Sequence, residues 1–376
     1  MSTTTERARE ALDRAADRLL RATVFERFGL ALASTALALF IGSLIVAATG
    51  YDAVAFASSL VYGAVGTLSN VAFTLRQSTM LILTGVAVAV AFRAGVFNIG
   101  VQGQFVVGGF ATALTILFLA PSLPGGVVGG VVLMVLGTLV AIVAGGAYAT
   151  LPGLMKAYAG ANEVITTIML NFIASGVVYF LIDAYLRPAG TSAPNTEPFP
   201  DYIELPGLVF GSGSFSVIGL GVALLTALGV YVVMARTRFG YDLVTSGYQE
   251  PAADYSGVKS ARTVVTTMTF SGMIAGLAGA VFAIMILGYY SDPSTFPTFG
   301  FDAIAVSLLA ANNPLGVVLA GLLFGALDAG GQYIGFTLDV PAELVDGVIG
   351  LIVLFVAAPE LFRMSARRVG LGGDDE

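Results

Sequence analysis

The segment Gly95–Phe105 reads GVFNIGVQGQF, with three glycines among Asn98, Gln102 and Gln104. Long apolar runs flank it on both sides. Hydrocarbon cannot satisfy bare backbone or carboxamide groups, so such a segment in a membrane must be buried in protein or line a wet path. Carboxamides both donate and accept, which suits a neutral solute bearing hydroxyl and amide groups better than an ion. Two further polar islands share this chemistry. Ala161–Asn171 reads ANEVITTIMLN; on a helix, Glu163, Thr167, Asn171 and Ser175 recur at every fourth residue and share one face, flanked by Asn162 and Thr166. The third island is Asn312–Asn313–Pro314, with Asp302 and Asp328 nearby in sequence. The candidate solute-pathway residues are therefore Asn98, Gln102, Asn162, Glu163, Thr167, Asn171, Asn312 and Asn313. Each has a plainer use as well: amides and threonines join helices, and Glu163 suits a helix start, where a carboxylate offsets the macrodipole. Taken together the three islands favour a polar pathway, because ionisable groups in spans are costly and are kept for function.

Much other chemistry is excluded by composition. The 376 residues include no His, no Cys and no Trp. Thiol nucleophiles, disulfides, imidazole bases and most transition-metal sites are thereby removed. No metal site is expected, and no redox compartment can be read from cysteine. The chain is 57% hydrophobic and 11% charged, with a mean hydropathy of +0.89. Ordinary soluble domains carry roughly 25% charged residues. The net charge of −7 and the scarcity of Lys, present only as Lys156 and Lys259, fit either a proteome adapted to high salt or GC-rich codon usage. No basic patch points to nucleic acid.

Positioning the islands requires helices that cross a bilayer, each about 20 apolar residues long. The runs Gly29–Thr49, Thr79–Phe92, Ile99–Leu119, Val127–Ala149, Glu163–Ala184, Ser216–Ala235, Thr263–Leu287, Phe301–Ala311, Leu315–Ile334 and Ala342–Phe362 are the expected spans. Thr79–Phe92 and Phe301–Ala311 are short, so the fold class is an all-α polytopic bundle of about 8–10 transmembrane helices, some broken. The amphipathic stretch Val54–Leu75 is expected to lie at the membrane interface. Residues 1–28 form a charged, helix-prone N-terminal segment unlike a signal peptide, 29–362 the membrane domain and 363–376 a tail. The N-terminal arginines and Arg363, Arg367 and Arg368 place both termini in the cytoplasm by the positive-inside rule. Residues 236–262 are a cytoplasmic loop and 187–214, rich in Pro, Gly and acid, an extracytoplasmic one. The pairs Gly272/Gly276, Gly125/Gly129 and Gly321/Gly325 have the small-xxx-small spacing of close helix packing.

The cytoplasmic loop contains QEPAADYSG, Gln249–Gly257. Glu250 and Pro251 suit a first helical turn and Gly257 a C-terminal glycine stop, so a short surface-presented helix is expected here. This loop resembles the coupling loop of ABC-transporter permeases. More narrowly, GVFNIGVQGQF, GANEVITTIMLNFI, AADYSG and GFDAIAVSLLAANNPLG resemble, in order from about Thr79 to Phe362, the nucleoside-type permeases within the branched-chain amino acid and simple-sugar permease family. That subfamily commonly has an acid where Gln102 stands.

The resemblance implies a membrane permease subunit, not an enzyme, that alternates access for nucleosides. It implies that Glu250, Ala252, Ala253, Tyr255 and Gly257 dock on a separate ABC ATP-binding subunit. Further implied partners are a second permease subunit, an extracytoplasmic substrate-binding lipoprotein and membrane lipid. This chain has no GxxxxGK[ST] phosphate loop, so ATP is expected on the partner and no cofactor here. The source is expected to be prokaryotic. Four other functions stay open at this point: the same machine carrying a monosaccharide or branched-chain amino acid, an ion-coupled secondary transporter using Asp328 or Glu163, a Ser–Lys or di-Asp intramembrane enzyme, and a receptor or scaffold, which would not need polar islands at three depths.

Overall fold

The computed structural model describes residues 24–203, 205, 215–249, 253, 255 and 257–369. Residues 1–23 of the charged N-terminal segment, Glu250 and Ala252 lie outside the described residues. Among the described residues twelve α-helices follow one another: α1 Val24–Ala48, α2 Ala53–Val65, α3 Leu68–Arg93, α4 Val101–Leu119, α5 Val127–Ala159, α6 Glu163–Leu181, α7 Val217–Arg236, α8 Arg238–Tyr248, α9 Ser260–Phe282, α10 Phe299–Leu309, α11 Pro314–Thr337 and α12 Ala342–Val369. The last turns of α6 and α9 widen into π-helix at Ile182–Leu186 and Ala283–Leu287. Among the described residues, seven helices are long and apolar enough to cross a membrane: α3, α4, α5, α6, α7, α9 and α11. The chain is a polytopic helical bundle.

One expectation is corrected, that of a short span at Thr79–Phe92. The stretch Val54–Leu75 before it, expected at the membrane interface, runs over two helices. It is interrupted at Gly66 and Thr67, where Thr67 takes an extended conformation and its Oγ1 accepts the Asn70 N–H at 3.1 Å, starting a new helix. The short span expected at Thr79–Phe92 is the inner part of that helix, the 26-residue α3, which continues through Arg76, Gln77 and Ser78. These polar side chains are accommodated inside the protein: Ser78 Oγ donates to Thr74 O at 2.7 Å, and the Arg76 guanidinium lies 4.1 Å from the centre of the Phe73 ring. The most apolar window of α3 is 83% buried, against 28% or less for α5, α6 and α7. α3 is thus the central helix of its unit, and α5, α6 and α7 carry the outward apolar faces.

The chain divides into two compact units, Thr67–Ala326 and the described parts of Met1–Gly66 with Leu327–Glu376. In the smaller unit, Gly42 of α1 packs against Val348 of α12, and the Tyr62 and Tyr333 rings meet at 5.5 Å. In the larger unit α9 lies between α4 and α5 at backbone distance. A Cβ on Gly276 would collide with the Ala141 carbonyl oxygen and lie 3.2 Å from the Gly145 Cα, so only glycine permits this approach. Helix α6 wears its polarity inside: Thr167, Asn171, Ala174 and Val178 are buried, while Ile165, Met169, Phe172, Ile173, Val177 and Phe180 are exposed. That inversion of soluble-protein patterning suits a lipid surround.

Residues 187–203, the described start of the 187–214 loop expected outside the cell, pair with the turn Gly288–Ser291. Thr196 N donates to Tyr290 O at 2.8 Å, Phe199 N to Gly288 O at 2.7 Å, and Asn195 bridges Ser291. Complete burial pushes the Tyr290 hydroxyl well above the ordinary phenol range, and it donates to Val106 O of α4 at 2.7 Å.

Candidate functional site

The turn between α3 and α4 carries the first polar island into the larger unit. Gly95, in the left-handed region at φ +70°, lets this turn press on Gly247 of α8, whose Cα would lie 3.2 Å from an added Cβ. Three residues on, Asn98 is fully buried and spends every polar atom. Its Oδ1 accepts from Gly100 N at 3.1 Å and from Gln104 Nε2 at 2.9 Å; its Nδ2 donates to Gln104 Oε1 at 2.9 Å and to Ser271 Oγ at 2.8 Å. Ser271 in turn donates to Ala87 O at 2.6 Å, so one carboxamide pair joins α3, α4 and α9.

Asn171 of α6 reaches the same turn from another side. Its Nδ2 donates to Ile99 O at 2.9 Å and its Oδ1 accepts from Gly103 N at 2.8 Å. It thereby satisfies one of the open amides at the start of α4, where the cap residue is glycine and supplies no side chain. Thr167, a turn earlier on that face, is fully buried beside Gly100 and donates back to Glu163 O at 2.6 Å. Gln102 points elsewhere: its Nε2 donates to Pro297 O at 3.2 Å and its Oε1 accepts from Gly300 N at 2.7 Å, clasping the start of the short helix α10. Behind this clasp, Phe105, Phe282, Phe296, Phe299 and Tyr290 interlock with ring centres 5.0–6.2 Å apart.

The remaining predicted residues hold positions of their own. Asn162 caps α6, accepting from Val164 N at 3.0 Å and Ile165 N at 3.2 Å. Glu163 pairs with Lys156 across the α5–α6 turn. Asn312, at φ +56°, accepts from Ser307 Oγ at 2.9 Å, and Asn313 caps α11 through Leu315 N at 3.0 Å. The structure therefore gathers Asn98, Gln102, Thr167 and Asn171 around the start of α4. It places Asn162 with Glu163, and Asn312 with Asn313, in turns whose hydrogen bonds are local. Sequence reading missed Ser271 and gave Gln104 no role, although the spacing Ser260, Thr263, Thr267, Ser271 was visible on α9. It also passed over Arg76, a guanidinium within a membrane-length helix.

In the 236–262 loop, Ala253 is fully buried and its N–H donates to Gln249 O at 3.0 Å, while Tyr255 is 96% exposed. Gly257 stands at φ +88° with open space around it, and Val258 N closes back on Ala253 O at 3.0 Å. These are the bonds of one helical turn ended by a left-handed glycine. Among the described residues no cluster of three His, Cys, Asp or Glu could hold a metal ion.

The family model for the permease component of branched-chain amino acid transport systems matches residues 70–357. A guanosine ABC transporter permease, NupP of Bacillus subtilis, is 35% identical over 339 residues, covering 87% of this chain and 92% of that protein. The nucleoside ABC transporter permease NupB of Lactococcus lactis is 29% identical, covering 84% and 87%. The glucose ABC transporter permease TsgB13 of Haloferax volcanii is 33% identical, covering 80% and 78%. No solved structure matches.

Proposed function

The chain belongs to the permease-component family of branched-chain amino acid transport systems, and from that premise we propose that it is the membrane subunit through which an ABC importer admits nucleosides. The observation that carries the cargo is the 35% identity to a guanosine permease along nearly the whole length of both chains. The buried carboxamides Asn98, Gln104 and Asn171 fit it chemically, because each offers a donor and an acceptor to a solute bearing hydroxyls and ring amides. The pathway residues are Asn98, Gln102, Thr167 and Asn171 around the start of α4, with Asn162, Glu163, Asn312 and Asn313 nearer its ends. That all four are buried supports the reading of a closed path.

The chain takes its energy from separate ATP-binding subunits and binds no cofactor itself. Glu250, Ala252, Ala253, Tyr255 and Gly257 present the docking turn; the bare Tyr255 supports this reading. A second permease subunit completes the path, and an extracytoplasmic binding lipoprotein delivers solute to the surface that includes the 187–214 loop. Both termini lie in the cytoplasm, and the acid surplus fits a salt-loving prokaryotic source. Glucose is the second reading, supported by the 33% identity to a glucose permease.

The test is radiolabelled guanosine uptake in cells with and without the gene, competed by unlabelled guanosine, glucose and leucine. Gene-dependent uptake that only guanosine suppresses is the expected result. No gene-dependent guanosine uptake, together with gene-dependent uptake of labelled glucose, would move the cargo to the second reading.

A further inference from the structure

Helix α9 carries a file of hydroxyls along one buried face: Ser260, Thr263, Thr267 and Ser271 are all less than 9% exposed. The file starts where the docking loop ends and finishes at Ser271, which is bonded to Asn98. Its members are separated by three or four residues, so they lie one above another on the helix. Most helical Ser and Thr here discharge their hydroxyl onto the carbonyl a turn earlier, as Thr263, Thr266 and Thr269 do on this same helix. Thr267 does not. It is fully buried, and its Oγ1 has no hydrogen-bond partner in the protein. A buried hydroxyl left unbonded is a net cost that a folded protein normally avoids, and each such group calls for a use. Valine would fill the same volume without that cost.

We propose that Thr267 is a solute-contacting residue, whose hydroxyl meets a hydroxyl or ring nitrogen of the nucleoside as it passes from the Asn98–Gln104 pair toward the docking loop. The inference rests on the permease reading above and adds a residue that nothing in the family resemblance singled out. Its neighbours on the path are already bonded within the protein: Asn98, Gln104, Ser271 and Asn171 must each exchange a protein bond for a solute bond. Thr267 alone of these gives up nothing. It is therefore the residue at which solute binding gains most.

The test compares Thr267→Val and Thr267→Ser in the assembled transporter, purified with its ATP-binding subunits and reconstituted in proteoliposomes, using labelled guanosine. Thr267→Val should melt at the same or a higher temperature than the parent, while its KM for guanosine rises about three- to tenfold, the worth of one hydrogen bond. Thr267→Ser should restore the KM. Opposite movement of melting temperature and affinity is something a purely structural hydroxyl cannot produce. Unchanged KM in Thr267→Val, or a fall in melting temperature that accounts for the lost uptake, would overturn the proposal.

A second arm needs no knowledge of the cargo. The chain has no cysteine, so Thr267→Cys introduces its only thiol. That thiol should react with a membrane-impermeant thiol reagent in one nucleotide state of the ATP-binding subunits and be protected in another. Failure of guanosine uptake with state-dependent labelling would refute the cargo and keep the path; no labelling in any state would refute the path.

Discussion

The carboxamide pair Asn98–Gln104 makes a quantitative prediction because its two members are unequally supported. Asn98→Leu removes two bonds to Gln104, each 2.9 Å long, one from Gly100 N and one to Ser271. It leaves both ends of the Gln104 amide buried without a partner, since Gln104 is 1% exposed and bonds only to Asn98. At about 1–3 kcal/mol for each buried group left unsatisfied, the cost should be about 3–5 kcal/mol. Gln104→Leu breaks the same two bonds, but Asn98 keeps Gly100 N on its oxygen and Ser271 on its nitrogen. That variant should cost about 1–3 kcal/mol. The double variant removes the orphaned amide altogether, so it should be more stable than Asn98→Leu alone, which requires a coupling larger than the Gln104→Leu cost, about 3 kcal/mol. Thermal unfolding of detergent-purified protein, followed by far-ultraviolet circular dichroism because the chain has no tryptophan, measures the order. Gln104→Leu should melt highest of the three, the double variant next and Asn98→Leu lowest, at about 2 °C per kcal/mol for a large chain. Penalties that simply add would refute the reciprocal pairing. Guanosine uptake should stay low in the double variant despite its recovered stability, which separates contact with the solute from scaffolding.

Two further outcomes follow from packing and exposure. Gly276→Val should lower stability by about 1–3 kcal/mol or prevent assembly, because the new side chain meets the Ala141 carbonyl and the Gly145 backbone; melting temperature and yield check it. Tyr255→Ala should leave melting within about 1 °C of the parent, since the ring is 96% exposed, yet reduce co-purification of the ATP-binding subunit at least tenfold if it is an aromatic anchor.

The residues that sequence patterning read correctly were those whose signal is local. The polar face of α6, with Thr167 and Asn171 four apart, needs only helical periodicity, and the structure buries both. Asn312 and Asn313, read from the sequence as a third polar island, stand in a turn before Pro314, where Asn312 takes the positive φ that its side chain tolerates. What could not be read was where the buried amides find partners. Asn98 meets Ser271 across 173 residues of chain, and Gln102 meets Gly300 across 198. α3 was cut short because Arg76, Gln77 and Ser78 lower its hydropathy. Hydropathy assumes lipid around a span, whereas α3 has protein around it, and its polar side chains answer to neighbours instead of hydrocarbon.

Tyr290 and Gln102 also have a joint consequence. Tyr290 Oη holds Val106 O, and Gln102, one helical turn away on α4, holds Pro297 O and Gly300 N. The connector from Gly288 to Gly300 is thus moored twice to a single helix, while its near end is stitched to residues 195–199. A pull on that stitched end cannot be absorbed by slack in the connector. The helix that would bear it is α4, whose Gln104 forms half of the carboxamide pair.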